Sequence, residues 1–104
     1  MNVTWTRVAQ GHLRSIHDYI AADSPRHAQR VVDHITLRTK ALESIPRLGA
    51  EVPEYGDESI RELLYRSYRI IYRILPERID IVAVIHGARL LPDEPPSGEG
   101  WSNA

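Results

Sequence analysis

The sequence predicts an α+β fold, in which an N-terminal strand and an antiparallel two-helix hairpin pack on a three- to four-stranded antiparallel sheet. Apolar residues recur at helical spacing across residues 7–22 and again from 25 to 45, so each segment has one apolar stripe. Residues 68–75 alternate instead, as in a strand whose successive side chains point to opposite faces. Only residues 76–78 separate this run from a second one at 79–86, and so short a connection favours an antiparallel hairpin.

The N-terminal part of the chain predicts a short strand followed by the two helices. In residues 2–6, Val3 and Trp5 alternate with polar neighbours, which indicates an edge or near-edge strand. The second helix should begin at Ser24 and Pro25, because serine caps free N–H groups and proline suits the first helical position. Since two or three residues join the helices, we expect them to pack side by side in opposite directions.

The two helical stripes need one apolar sheet face, so a single core is expected. Its predicted members come from both helices and from the two strands: Ile16, Ile20, Val32, Ile35, Ile70, Tyr72 and Ile81. In the strand at 68–75, alternation directs one set of side chains to this core, namely Tyr68, Ile70, Tyr72 and Ile74. The opposite face should then carry Arg69, Ile71, Arg73 and Leu75.

The same alternation at 79–86 divides the next strand into two faces. One face should carry Ile79, Ile81, Ala83 and Ile85, and the other Asp80, Val82, Val84 and His86.

Length and composition predict one domain at residues 1–91 followed by a flexible tail at 92–104. A chain of 104 residues, 42% of them hydrophobic, is sized for one core. The tail is rich in proline and glycine, and in this region only Leu90, Leu91 and Trp101 are suited to docking. The chain has no cysteine and no apolar run of membrane-spanning length, so we expect a cytoplasmic protein.

Arg61, Arg69, Arg73, His86 and Arg89 form the one constellation suited to binding or chemistry. Alternation can bring them to one side of the sheet or to its end, where a basic surface would hold a phosphodiester or an acidic peptide. The opposing interpretation is a solvated face whose arginines prevent edge aggregation and pair with carboxylates such as Glu62 or Asp80. His86 has the chemistry of a general acid or base near neutral pH, yet a lone histidine at a strand end is more often structural.

Metal and cofactor sites are not expected. The helix histidines lack the spacing of a zinc-binding motif, and Gly49, Gly56 and Gly87 stand alone instead of forming a phosphate-binding loop. The acidic segment from 51 to 62 lacks the ligand spacing of a calcium loop. It is predicted to be a solvated surface loop.

Four segments in this order resemble the ParE/RelE toxin superfamily: TWTRVAQGHLRSIHDYIA, SPRHAQRVVDHI, IPRLGAEVPE and IRELLYRSYRIIYRI with IVAVIHGAR. The resemblance spans residues 5–92. It implies the toxin of a bacterial type II toxin-antitoxin system, with a helical hairpin on an antiparallel sheet. It also implies a cognate antitoxin, whose acidic amphipathic segment would complement the arginine face.

The superfamily divides by target, and the residues favour its ParE-like branch, whose members are associated with poisoning DNA gyrase. In the RelE-like branch, which cleaves mRNA on the ribosome, two arginine positions fall on Arg69 and Arg89. Its two catalytic lysine positions fall on Ile60 and Glu62, and its tyrosine position on Pro95. A carboxylate at such a position would oppose stabilisation of a phosphorane.

The resemblance therefore implies an antitoxin surface at Arg61, Arg69 and Arg73, and a gyrase contact at Arg89 and the tail. Two alternatives stay open. One is a ribosome-dependent endoribonuclease using Arg69, Arg89 and His86, and the other is a protein-binding module without toxicity.

Overall fold

The computed structural model describes residues 1–97 and Trp101. Its elements, in chain order, are β1 (Asn2–Trp5), α1 (Arg7–Ala21), α2 (Pro25–Lys40), a 3-10 turn (Ala41–Glu43), β2 (Ala50–Glu51), β3 (Ile60–Tyr65), β4 (Tyr68–Ile74) and β5 (Arg78–His86). Thr6 caps α1 by accepting the N–H of Ala9, and Ser24 caps α2 by accepting that of His27. The predicted second helix is shorter than expected, because the chain tightens into the 3-10 turn that buries Leu42. Within the described part of the chain, no helix has the length and apolar character to cross a bilayer.

The sheet has five strands in the order β1-β5-β4-β3-β2 and is mixed. The prediction of an α+β fold with a helical hairpin on a sheet is confirmed, but the expected three to four antiparallel strands were too few. Strand β1 lies at one edge and runs parallel to β5. The two antiparallel helices return the chain to the end of the sheet where β1 finished, and four successive antiparallel strands then leave β5 running in the same direction as β1. Strand β2 has only two residues, too few for any alternation to reveal it.

The helix-facing core contains most of the residues predicted for it. Ile35, Ile70, Tyr72 and Ile81 are fully buried there. Ile16 and Ile20 pack against them as partly buried residues. Val32 is only half-buried and lines an open cleft instead, so its placement in the core was wrong.

A β-bulge in β5 reverses the facing of its second half. Ile71 pairs with Ala83 and Tyr72 pairs with Ile81, which leaves Val82 as the extra residue. Ala83 therefore points away from the helices. The alternation predicted for β5 is correct as far as Val82 and wrong from Ala83 onward: Ile85 faces away with Ala83, and Val84 joins the helix-facing core.

A second core covers the opposite face of the sheet, where a single core had been predicted. Its buried members are Val52, Ile60, Ile71, Val82, Ala83, Ile85 and Trp101. Two hydrogen bonds attach the described tail residues to this side of the sheet, and a third lies within the tail. The Tyr55 hydroxyl donates to the Pro92 carbonyl at 2.7 Å, Arg73 Nη1 donates to the Pro96 carbonyl at 3.0 Å, and Trp101 Nε1 donates to the Glu94 carbonyl at 2.8 Å.

The tail was predicted to be flexible over residues 92–104. Its described residues lie against the sheet, with Pro96 and Trp101 buried. Residues 98–100 and 102–104 lie outside the described part of the chain, and flexibility there stays a prediction.

Candidate functional site

Arg69 lies at the centre of the sheet face opposite the helices, held between two carboxylates. Its Nε donates to Glu62 Oε1 at 2.6 Å, and its Nη1 and Nη2 donate to the two oxygens of Glu54 at 2.8 and 3.0 Å. The Arg69 side chain is only 13% exposed and that of Glu62 11%. The hydrogen bond from Arg69 lowers the pKa of Glu54, and the two carboxylates raise the pKa of Arg69. Arg69 is therefore neutralised within the chain.

The other two arginines predicted for this face have different positions. Arg73 does share the face, and its guanidinium is held by the Pro96 carbonyl of the tail. Arg61 lies on the helix-facing side, because it pairs with Tyr72. It also shares a face with the buried Leu63, since residues two apart in a strand point the same way. The expectation that all three share one surface was thus wrong for Arg61.

Arg61 and Tyr72 together fix the loop that follows the helices. Arg61 Nε donates to the Gly49 carbonyl at 2.8 Å and its Nη1 to the Glu58 carbonyl at 2.9 Å. The Tyr72 hydroxyl accepts the Gly49 N–H at 2.9 Å and donates to the Pro46 carbonyl at 2.8 Å. Burial raises the pKa of Tyr72. Gly49 has no room for a side chain, because a Cβ there would collide with the Glu62 carbonyl.

His86 and Arg89 lie apart from Arg69 and Arg73. His86 pairs with Tyr68 and shares its helix-facing side, where the two rings meet edge to face at 6.1 Å. Arg89 lies just beyond, and both residues line a cavity at the end of the sheet. The structure therefore does not assemble Arg69, Arg89 and His86 into one catalytic group.

An apolar cleft opens on the outer surface of the helical hairpin. It has a volume of about 430 Å³, and its walls include Trp5, Leu13, Val32 and Thr36. The exposed lining is mostly apolar, as expected for a surface that buries an apolar side of a partner. Among the residues that the structure describes, no cluster of three or more histidine or acidic side chains is placed to hold a metal ion.

Two contributors to these sites were missed in the sequence. Glu54 belongs to an acidic loop, and nothing in its spacing indicates that it reaches Arg69. His12 lies on α1 and accepts the Val84 backbone N–H through Nδ1 at 3.2 Å. Its position near the apolar stripe of α1 was the only available signal, since an imidazole there must find a polar partner.

Comparison with known proteins places this arrangement in a family. The family model described as the ParE toxin of the type II toxin-antitoxin system, parDE, matches residues 3–91. Toxin RelE2 of Caulobacter vibrioides (strain ATCC 19089 / CIP 103742 / CB 15) is 38% identical over 92 residues, which cover 85% of this chain and 97% of that protein.

A solved structure has the same fold. A chain of the chromosomal ParDE TA system from P. aeruginosa superposes with a TM-score of 0.69 at 28% sequence identity, covering 83% of this chain and 95% of its own. The chain therefore belongs to the ParE toxin family of type II toxin-antitoxin systems.

Proposed function

We propose that this toxin inhibits DNA gyrase by binding it, and that a cognate antitoxin neutralises the toxin. The observation that carries the choice of target is the state of Arg69, which is held between Glu54 and Glu62. Gyrase is a large protein target, and binding it requires no catalytic group on this chain. Arg89 is the proposed contact, because it is exposed at the end of the sheet next to the tail.

The alternative, ribosome-dependent cleavage of mRNA, needs cations that stabilise the extra negative charge of a phosphorane. At the positions that the resemblance assigns to catalytic lysines, this chain has a buried isoleucine, Ile60, and the carboxylate of Glu62. That carboxylate already neutralises Arg69. Arg73 is covered by the tail. The sheet face therefore favours a toxin that does not cleave RNA.

The two targets are separated by testing the purified toxin in two assays. We expect it to block gyrase supercoiling and to trap cleavage complexes, while leaving mRNA on programmed ribosomes uncut in primer extension. Arg89→Ala should weaken gyrase inhibition, whereas Arg30→Ala, on the outer surface of α2, should not. Codon-dependent cuts together with unaffected gyrase would refute the proposal.

For the antitoxin, the apolar cleft on the helical hairpin is the surface best suited to an amphipathic segment. Its exposed lining is mostly apolar, with Arg14 and His17 also in its walls, and amphipathic segments bind by placing an apolar face in a groove. The surface predicted from the sequence, at Arg69 and Arg73, is occupied by contacts within the chain. An antitoxin binding there would have to displace them.

Filling the cleft with a charged side chain tests this assignment. Thr36 is exposed and lines the cleft, so Thr36→Arg should weaken antitoxin binding at least about tenfold, equivalent to about 1.4 kcal/mol. The matched control is Thr36→Ala, which removes the hydroxyl without filling the cleft and should bind normally. Isothermal titration calorimetry measures both. If Thr36→Arg binds normally and Arg73→Ala does not, the antitoxin binds the opposite sheet face.

A further inference from the structure

The cavity at the end of the sheet has a lining without any acidic residue. It lies between α1, the β3–β4 turn and the end of β5, and its volume is about 740 Å³. The polar side chains that matter in its walls are His12, Ser15, Tyr19, Arg66, His86 and Arg89. Each of these residue types can donate hydrogen bonds. In a chain with more acidic than basic residues, a cavity lined in this way has a clear preference for anions.

His12 lines this cavity and is anchored to the sheet. Strand β1 ends at Trp5, so the outer edge of β5 beyond Ile81 has no neighbouring strand. The Val84 N–H at that edge donates to His12 Nδ1 instead. A nitrogen that accepts a hydrogen bond carries no proton, so the proton of the neutral ring is on Nε2. That atom is buried and has no hydrogen-bond partner among the described residues, and an N–H in that position requires an acceptor.

His86 is fixed in the same tautomer by a different contact. Its Nδ1 accepts the Ala88 N–H at 3.3 Å, which directs the remaining N–H donor through Nε2. The two histidines thus contribute two ring N–H donors from two elements of the fold. In each ring a backbone N–H donates to Nδ1, so the backbone and not another side chain determines that the proton lies on Nε2.

The arginines add positive charge at the rim. Arg66 lies in the β3–β4 turn with a positive φ of 53°, and its Nε donates to the Tyr65 hydroxyl at 3.2 Å. This contact leaves its two terminal nitrogens available. Arg89 is exposed, and within the described residues its side chain makes no hydrogen bond or ion pair. Aromatic surface is present as well, since Tyr19 is 83% exposed and Tyr68 lines the cavity.

We propose that this cavity binds a nucleoside phosphate, either as a free nucleotide or as the phosphorylated end of a nucleic acid. The phosphate would accept from His86 and the two arginines, because charge-assisted hydrogen bonds from several directions suit its oxygens. The base would stack on a tyrosine ring. A carboxylate has only two oxygens and would leave most of the donors unused. The proposal concerns ligand binding by the toxin alone and does not depend on gyrase as the target.

The test is an NMR titration of the toxin at constant ionic strength with four probes: inorganic phosphate, AMP, adenosine and N-acetylglutamate. We expect phosphate and AMP to shift the ring resonances of His12 and His86, AMP with the higher affinity, and adenosine to shift neither. Unmoved histidine resonances would overturn the proposal. Tighter binding of N-acetylglutamate than of AMP would also overturn it, in favour of an acidic protein ligand.

Variants identify the site independently. Arg89→Ala should weaken AMP binding about tenfold without changing the thermal midpoint, because its side chain contacts no described partner. Arg30→Ala, which removes an equal charge from the outer surface of α2, should bind AMP normally. Equal losses in both variants would show a nonspecific charge effect and refute the site. A trinucleotide with a 5′-phosphate that binds more tightly than AMP would identify a nucleic-acid end as the source of the phosphate, whereas equal affinity would identify a free nucleotide.

Discussion

Replacing Arg69 with alanine is expected to lower the free energy of unfolding by about 3 kcal/mol, the usual cost of removing one partner from a buried ion pair. Glu62 would keep its charge in a site where its side chain is 11% exposed, and Glu54 would lose both of its hydrogen bonds to the guanidinium. Urea denaturation of the two proteins measures the difference. The wild-type arrangement also joins the 51–57 loop to strands β3 and β4, so the variant should lose protection from hydrogen exchange there first.

An exposed pair provides the matched control. Arg47 lies 3.7 Å from Glu58 with both side chains more than half exposed, so Arg47→Ala should cost about 0.5 kcal/mol or less. The effect of Arg69→Ala also depends on pH. Arg69 holds the folded-state pKa of Glu54 below its ordinary value of 4.5, so this stabilisation is present above that pH and is lost as the pH falls through the folded-state pKa. If Arg69→Ala and Arg47→Ala lowered the free energy of unfolding by similar amounts at neutral pH, the ion pairs of Arg69 would contribute no more than an exposed pair does.

Replacing Tyr72 with phenylalanine is expected to cost about 3 kcal/mol, although only one oxygen is removed. That oxygen accepts from the Gly49 N–H and donates to the Pro46 carbonyl, and its removal leaves two backbone groups in the interior without a partner. The loop between α2 and β2 would then lose its contact with Tyr72 and be held by the hydrogen bond from Arg61 to the Gly49 carbonyl. Chemical denaturation gives the magnitude, and the exchange rate of the Gly49 amide reports the local effect.

Tyr65→Phe separates this effect from the general loss of a hydroxyl. Tyr65 also lies on the helix-facing side, but its hydroxyl accepts only from Arg66, a residue exposed to solvent that can bind water instead. Its loss should cost about 0.5 kcal/mol. If both tyrosine variants were equally stable, the two hydrogen bonds of Tyr72 would contribute nothing beyond packing.

The sequence was sufficient for features that depend on local chemistry. The cap at Ser24 occurs where α2 begins, as predicted, and the β4–β5 turn closes with the Leu75 N–H donating to the Arg78 carbonyl. The bulge at Val82 was not predictable, because it is set by fitting β5 against β4 and no glycine marks it. Trp101 was identified as suited to docking, but the face on which it docks was not predictable, since a proline-rich composition describes what a segment does alone and not what a neighbouring apolar face offers it.

The candidate site depended on contacts between distant residues, and the sequence predicted it only in part. It correctly placed Arg69 and Arg73 on one face through strict alternation. It also named Glu62 as a carboxylate with which the arginines would pair, but it did not reveal Glu54, because which loop residue reaches a strand depends on the path of the chain. Arg61 was assigned to the wrong face. It lies two residues before the buried Leu63 in β3, and residues two apart in a strand share a face, which here is the helix-facing one.

The parallel pairing of β1 with β5 has a consequence for the order of events during synthesis. Residues 2–5 cannot take their place in the sheet until residues 78–81 have been made, because β5 is the strand with which β1 pairs. Closing so long a chain segment is slow relative to local helix formation. The edge strand β1 is therefore expected to join the sheet after the helical hairpin has formed, and the outer edge of β5 stays uncovered until then.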